Sequence, residues 1–456
     1  MKITVIGGQW LGLVVSGCYS EFGFSVELID ENEERIDNLK NNITNLYEPG
    51  LESLLRKNNE KGTLNFSTKI NNFTQESDAI IISIDTIGKD GSDMDLSKIY
   101  KTVNEISLSL RRDKYTAIII KSITPIGTCS TIKRTINFMR PDLTEGEHYD
   151  IISNPDFFRE GSAIRDFLIP DRVIIGVDNE SKKAKALILK LYEAIITPET
   201  PIISTDLETG ELIRHSTTAF VLSKIALMNE LSDLCDRVGT DINKLIKGLG
   251  VDSRIGPKWL SVIPGVGGAS VIRTARTLLN TAENLGCDLK ILKGALDSNS
   301  NRVFYLIGKI RSYIEDSAGI EGKKLTILGL AFRSQTDDIV ESASIHIIKE
   351  LLKLGAEILL YDPAYKANSA NLTNIPKDII NNEKFVVTSS VYEAANQSDA
   401  LIIMTSWMEF REIDFYKICE LMNKKDGKKP IIIDFTNMFS KDELQNFKYI
   451  SYGNIN

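Results

Sequence analysis

Apolar positions along the chain come in two spacings. Short β-branched runs, Ile3 to Ile6, Ser25 to Ile29, Ala79 to Ile84, Ala117 to Ile120 and Arg172 to Val177, are separated by longer stretches of helical composition, beginning with Leu11 to Phe22. Strand and helix in alternation predict a parallel, doubly wound sheet. The pattern changes at Thr205-Asp206-Leu207-Glu208, where a threonine followed three residues later by a glutamate has the form of a capping box, and a helical pattern runs on to about Val238. A helix of that length joins domains or carries a dimer contact. At Lys324 the opening repeats: Leu325 to Gly329, a helix, then Glu357 to Asp362, with later apolar runs at Ala400 to Met404 and Pro430 to Ile433.

Together these elements predict an α/β chain of two Rossmann-like doubly wound parallel-sheet domains, residues 1–200 and 321–456, joined by a central helical domain with a long helix, residues 201–320. Length agrees, because 456 residues exceed what one core usually supports.

Composition narrows the function classes. The net charge of −8 arises from 62 acidic against 54 basic residues with no basic block, so no nucleic-acid partner is expected. Five cysteines lie far apart without a C-x-x-C pair, beside three histidines, which predicts neither a metal site nor a disulfide scaffold and fits a reducing cytoplasm. The apolar start, Met1 to Ser20, is interrupted by Gly7, Gly8, Gln9 and Gly12 and reads as strand, turn and helix rather than as a signal peptide. No run reaches the roughly 18 apolar residues of a membrane span. A soluble protein with no membrane contact is expected.

Strand, glycine turn and helix are the parts of the dinucleotide fingerprint G-x-G-x-x-G. Its first glycine makes the turn, the second admits the pyrophosphate to the backbone, and the third packs helix on strand. Here the three positions are Gly7, Gln9 and Gly12. A glutamine at the middle position projects towards the pyrophosphate's space, while Asp30 closes the second strand where a ribose-binding acid belongs. Taken alone, the two glycines are equally explained by tight packing.

Several segments carry a resemblance. Tyr47-Glu48-Pro49-Gly50-Leu51 is similar to a Y-E-P-G-L motif, and Asn154 to Gly161 to N-P-E-F-L-R-E-G, followed by Asp171-Arg172-Val173. Asp252 to Lys258 resembles D-S-R-I-G-P-K, and Leu328 to Phe332 with Thr336-Asp337-Asp338 resembles L-G-L-A-F-K-x-x-T-D-D. On these motifs the chain is similar, over nearly its whole length, to the UDP-glucose/GDP-mannose dehydrogenase family. The resemblance implies a three-domain oxidoreductase of polysaccharide biosynthesis that converts the C6 alcohol of a nucleotide sugar such as UDP-glucose to a carboxylate with two molecules of NAD. In that family a cysteine holds the intermediate aldehyde as a thiohemiacetal, so that a second oxidation can follow within a relay of polar groups. It also implies cofactor contacts at Gly7, Gly12, Asp30, Arg35, Thr124, Glu160 and Arg333. Substrate contacts are implied at Phe157, Phe158, Arg159, Glu160, Arg254, Lys258, Gly265 and Gly267, with no metal and a homodimer.

Residue by residue, the reacting positions differ from the family's. The segment similar to G-Y-G-G-S-C-F-P-K-D runs from Gly265 to Thr274, so Ser270 stands for the cysteine, and Arg273 and Thr274 for the lysine and aspartate. In the helix similar to A-E-L-I-K-Y-A-A-N-A-F, Arg214 stands for the lysine and Thr218 for the asparagine. Asp156 replaces the first glutamate of N-P-E-F, and K-S-T-V-P-V-G-T becomes Lys121 to Thr128 with its threonine moved one place to Thr124. Arg333 stands for a lysine and Val340 for an arginine.

Serine is a poor nucleophile without an adjacent base, and arginine keeps its proton at any workable pH, so it cannot shuttle one as lysine does. Thr274 cannot replace a carboxylate. His215 reads as a packed, hydrogen-bonded histidine rather than a substitute base. The expectation is a catalytically degenerate family member with weakened NAD binding, acting by nucleotide-sugar binding or regulation and pairing with itself or an active paralogue. Two other readings stay open: an altered NAD-dependent oxidoreductase acting on a sugar nucleotide, and an interaction scaffold.

Overall fold

The structure, a computed structural model, describes residues 1–86, 88, 94–178, 181–314, 319–367, 370–424 and 427–453. By its internal contacts the chain forms two compact units, Met1–Thr217 with Arg276–Gly286, and Thr218–Ala275 with Cys287–Asn456.

Among the described residues the first unit holds eight strands: β1 (Lys2–Ile6), β2 (Ser25–Ile29), β3 (Leu64–Ser67), β4 (Ala79–Ile82), β5 (Thr116–Ile120), β6 (Tyr149–Ser153), β7 (Val173–Gly176) and β8 (Ile202–Thr205). They lie in the order β3-β2-β1-β4-β5-β6-β7-β8. Neighbours are parallel except β6 and β7, which meet antiparallel at Ser153 and Gly176. Central strands are buried on both faces, which is why Ala79 to Ile82 reads as an unbroken apolar run. Alternate side chains still part company: Ile80, Ile82, Ile118 and Ile120 join one core, and Ile3, Val5, Ile81 and Ile119 the other.

Register sets the site. Ile6 pairs with Ile29 and with Ile82, Ile82 with Ile120, and Ile120 with Ser153. Gly7, Asp30, Ser83, Lys121 and Asn154 therefore follow the strands along one carboxyl edge, where open α/β sheets bind ligands.

In the second unit the described strands are β9 (Lys324–Leu328), β10 (Glu357–Tyr361), β11 (Phe385–Val387), β12 (Ala400–Ile403), β13 (Ile431–Asp434) and β14 (Lys448–Ser451), all parallel in the order β11-β10-β9-β12-β13-β14. The second doubly wound sheet is thus present as expected. The long helix, Leu207–Val238, starts in the first unit and continues into the second. Its start corrects the capping box. Thr205 ends β8, and the capping side chain is Asp206, whose Oδ1 accepts from the Thr209 backbone N–H at 2.7 Å. Asp206 directly precedes the first helical residue, the position from which a short acid reaches the free N–H groups. Glu208 does not reach back but accepts from the Ser130 hydroxyl.

Within the second unit, Asp233 and Asp236 of the long helix each hold a cation from the helix Lys290–Ile314, Arg302 and Lys309 respectively, both at 2.5 Å. Asp236 also accepts from the Gly453 backbone at 2.7 Å, tying the last described residue to the helices.

Candidate active site

The turn after β1 has the geometry its glycines require. Gly7 lies at φ +113°, and a Cβ on Gly12 would stand 1.7 Å from the Gly7 carbonyl oxygen, so the third glycine is what lets the helix Trp10–Glu21 close on the strand. Gln9 is different. Its φ of −91° suits any residue, its side chain makes no capping bond, and it is exposed at the helix start. Only the approach of a ligand to that helix N-terminus would call for glycine there. Asp30 is held in place at the end of β2: Oδ2 accepts from the Gly8 N–H at 2.6 Å and from Arg35 Nη1 at 2.8 Å, and Oδ1 from the Asn32 N–H at 2.9 Å. The turn, the helix end and the acid at the strand end have the arrangement of a dinucleotide fold, with Gln9 exposed where the fingerprint has its second glycine.

Glu48 is a contact that motif reading alone did not reveal. Its buried carboxylate accepts from Trp10 Nε1 at 2.8 Å and from the backbone N–H groups of Gly161 and Ala163 at 2.8 and 2.9 Å. One side chain therefore pins the start of the first helix to the segment that follows Asp156-Phe157-Phe158-Arg159-Glu160. At the other end of that segment Lys121 is buried, donating to Asn154 Oδ1 and Tyr192 Oη, each at 2.9 Å, with its ammonium 5.5 Å from the Phe158 ring.

The segment itself divides. Phe158 packs into the core against Phe167, ring centroids 5.6 Å apart. Arg159 is engaged with Asp166 through Nε at 2.9 Å and Nη2 at 2.5 Å, and Asp166 also takes its backbone N–H. Asp156 is buried, accepting from the Phe158 N–H at 3.3 Å, while Glu160 is half-buried. Phe157 lies beside two guanidiniums: the Arg172 Cζ is 3.8 Å from its ring centroid and that of Arg214 is 5.9 Å away.

Arg214 lines a pocket at the carboxyl ends of β5 and β6 with Ile123, Thr124, Ser153, Glu211 and His215. Glu211 is buried and caps the helix Thr128–Met139, accepting from the N–H groups of Gly127 at 2.6 Å and Cys129 at 2.8 Å. Burial pushes its carboxyl above the usual glutamate range, partly offset by bonds from Cys129 and Gly127. The Thr124 hydroxyl points at Glu211, 3.4 Å away, and the Thr124 carbonyl accepts from His215 Nε2 at 2.8 Å. His215 is accordingly buried and hydrogen-bonded, as read from the sequence. Moving the threonine one place turns its hydroxyl inward, while Ile123 is the half-exposed neighbour.

In the second unit the Gly265 to Thr274 segment is held from below. A Cβ on Gly267 would meet that of Phe332 at 2.6 Å, and the Gly268 N–H donates to the Val340 carbonyl at 2.8 Å. Gly265 has room for a side chain. Ser270 lies in the first turn of the helix Ala269–Asn284, half-exposed, and Thr274 is fully buried with its hydroxyl donating to the Ser270 carbonyl at 2.6 Å. Thr218 is buried on the long helix, and Arg333 half-buried after Phe332. Arg254 closes onto Asp252, Nη2 to Oδ2 at 2.6 Å; Lys258 is exposed, and its carbonyl accepts from Lys224 Nζ at 2.9 Å.

The second sheet repeats the acid at the end of its second strand and uses it differently. Asp362 is wholly buried, accepting from the N–H groups of Leu330, Ala331 and Ala364 and from Trp407 Nε1. Burial pushes its carboxyl above the usual aspartate range, against the pull of those donors.

Two sheets of nucleotide-binding type in one chain, parallel but for one strand pair, the first with a glycine turn and an acid at its carboxyl edge, define a protein of the nucleotide-dependent dehydrogenase class. Residues 1–196 match the NAD binding domain, 208–301 the central domain and 326–441 the UDP binding domain of one family. The chain belongs to the UDP-glucose/GDP-mannose dehydrogenase family. It is 34% identical to a UDP-glucose 6-dehydrogenase of Rhizobium meliloti over 99% of both chains, and 33% identical to the UDP-glucose 6-dehydrogenase TuaD of Bacillus subtilis over 98% of this chain and 92% of that one. Its fold is that of a UDP-glucose dehydrogenase from Pyrobaculum islandicum, with a TM-score of 0.84, 24% identity, and coverage of 99% of this chain and 96% of the other. The matched domains support NAD and a nucleotide sugar as the ligand classes. Among the described residues no helix is long and apolar enough to cross a membrane.

Proposed function

We propose that this chain binds a nucleotide sugar of the UDP-glucose type and acts through that binding in glycan or polysaccharide synthesis in the cytoplasm, having lost the four-electron oxidation of its family. One observation carries the reading: where the family places a carboxylate four residues after its nucleophile, Thr274 is buried and its hydroxyl is spent on the Ser270 carbonyl. Ser270 therefore gains no base from that position. NAD binding is weakened by Gln9. The protein pairs with itself or with an active relative through the long helix, where Phe220, Leu227 and Leu234 are exposed at heptad spacing.

A second reading, an altered NAD-dependent oxidoreductase, draws support from Asp30, which Gly8 and Arg35 hold as a ribose-binding acid would need to be held. Calorimetric titration with UDP-glucose and with NAD, each followed by the other while reduced-nicotinamide absorbance is recorded, separates the two. Binding of UDP-glucose with a flat absorbance is expected. A rising absorbance hands the case to the second reading, and failure to bind either ligand leaves the interaction scaffold.

A further inference from the structure

Between β6 and the helix Ala163–Leu168 the backbone belongs to no strand or helix, so side chains must hold its N–H groups. Asp156 takes that of Phe158, Asp166 that of Arg159, and Glu48 those of Gly161 and Ala163. The first two acids belong to this stretch of chain and the helix after it, whereas Glu48 comes from the turn before the helix Leu51–Glu60. Ser162, at the N-cap position, makes no capping bond, and the Glu48 carboxylate takes its place. Its two oxygens are not equivalent. Oε1 serves Ala163, while Oε2 is shared by Trp10 Nε1 and the Gly161 N–H, each at 2.8 Å. Trp10 opens the helix Trp10–Glu21 directly after Gln9, at the helix end that follows the glycine turn and where an anion is favoured. A displacement of that helix end therefore moves the indole donor on the same oxygen that fixes Gly161. Farther along, rings pack the two elements together: Tyr19 of the helix meets Phe167 with centroids 5.1 Å apart, and Phe167 meets Phe158 at 5.6 Å. With those ends packed, Glu48 sets the spacing at the carboxyl edge of the sheet.

Building on the nucleotide-sugar reading above, we infer that Glu48 is a positioning residue through which a dinucleotide at the helix start and a nucleotide sugar on the Phe157 to Gly161 segment strengthen each other's binding. A ligand at either end holds the shared oxygen in its bonded geometry, so the second ligand has less of the chain to order. Linkage makes the effect reciprocal.

ADP-ribose is the probe for the dinucleotide place, because it carries the pyrophosphate and both riboses but no nicotinamide to accept a hydride. Isothermal titration of UDP-glucose with and without saturating ADP-ribose tests the coupling in the wild type, Trp10→Phe and Glu48→Gln, with circular dichroism verifying that each variant folds. In the wild type ADP-ribose should tighten UDP-glucose binding by about 5-fold, the lower end of ordinary couplings between sites. Trp10→Phe keeps a ring but removes the shared donor; it should abolish the tightening while leaving the affinity for UDP-glucose alone within about 2-fold of wild type. Glu48→Gln, whose amide keeps one acceptor oxygen, should reduce the tightening. A wild type in which ADP-ribose leaves UDP-glucose binding unchanged, or weakens it, overturns the inference and leaves the nucleotide-sugar reading standing. If UDP-glucose does not bind at all, both fall. Tightening that persists in Trp10→Phe routes the coupling elsewhere, and outright loss of UDP-glucose affinity in a folded variant makes the clamp merely structural; either result overturns the proposal.

Discussion

Gln9 occupies a backbone conformation that does not require glycine, so exchanging it probes the ligand and not the fold. Gln9→Gly is therefore expected to tighten NAD binding by about 10-fold, the scale of one relieved close contact, with a change in stability of only a few tenths of a kcal/mol at an exposed helix start. Titration calorimetry beside thermal melts would measure both, and an unchanged Kd would clear Gln9 of the role. Glu211 gives a pH dependence. Its folded carboxyl lies above the ordinary 4.5, so the native state holds the proton more tightly than the unfolded chain. The stabilisation is complete below 4.5 and is lost as pH rises through the raised value. The stability of wild type relative to Glu211→Gln, from denaturant titrations, should decline from acid towards neutral pH; a flat difference would contradict the shift. Residue identities were legible in the sequence, directions were not. The shift of threonine to position 124 is visible in the motif, but the inward turn of its hydroxyl follows from the alternation of the extended backbone and from Glu211 behind it. Nor does any motif announce that Arg159 is taken by Asp166 or that Phe158 belongs to the core.

Elements in the first unit are joined by single side chains. Glu48 receives three N–H donors from two segments, and a charged acceptor is worth about 1.5–3 kcal/mol per bond. Glu48→Ala leaves those donors in a buried place and should cost about 3–5 kcal/mol in chemical denaturation, with the nucleotide-sugar affinity falling as the Asp156 to Gly161 segment loosens. A loss below about 1 kcal/mol would make the clamp incidental. In the second unit Asp236 does comparable work for the C-terminal strand. Asp236→Ala strands the buried Lys309 charge and is expected to destabilise by about 3 kcal/mol; a melting temperature equal to wild type would refute it. Strands that alternate polar with apolar residues, such as Leu64-Asn65-Phe66-Ser67, carry a weaker signal than the isoleucine runs beside them, which is why β3 was missed while β4 and β5 were not. Tyr149-Asp150 hid the start of β6 in the same way.

For the whole molecule, the alternation of short apolar runs with helical stretches, repeated after Lys324, was enough to specify two parallel sheets, because a strand buried on both faces has little choice of residue. The proposed association of chains would use the stripe of Phe220, Leu227 and Leu234, at 74%, 56% and 52% exposure, because single helix faces that expose apolar side chains at heptad spacing are suited to a partner. Leu227→Asp with Leu234→Asp should turn a dimer into a monomer in sedimentation experiments. A wild type already monomeric at micromolar concentration would sink that expectation.

Asp30 and Asp362 close equivalent strands of the two sheets, yet the first accepts three bonds with part of its surface still exposed while the second is wrapped by the backbone and Trp407. The repeated fold is therefore not a repeated receptor. Of these two acids only Asp30 keeps exposed surface, so on the proposed reading the stoichiometry of an adenine dinucleotide should be one per polypeptide, however symmetrical the architecture looks.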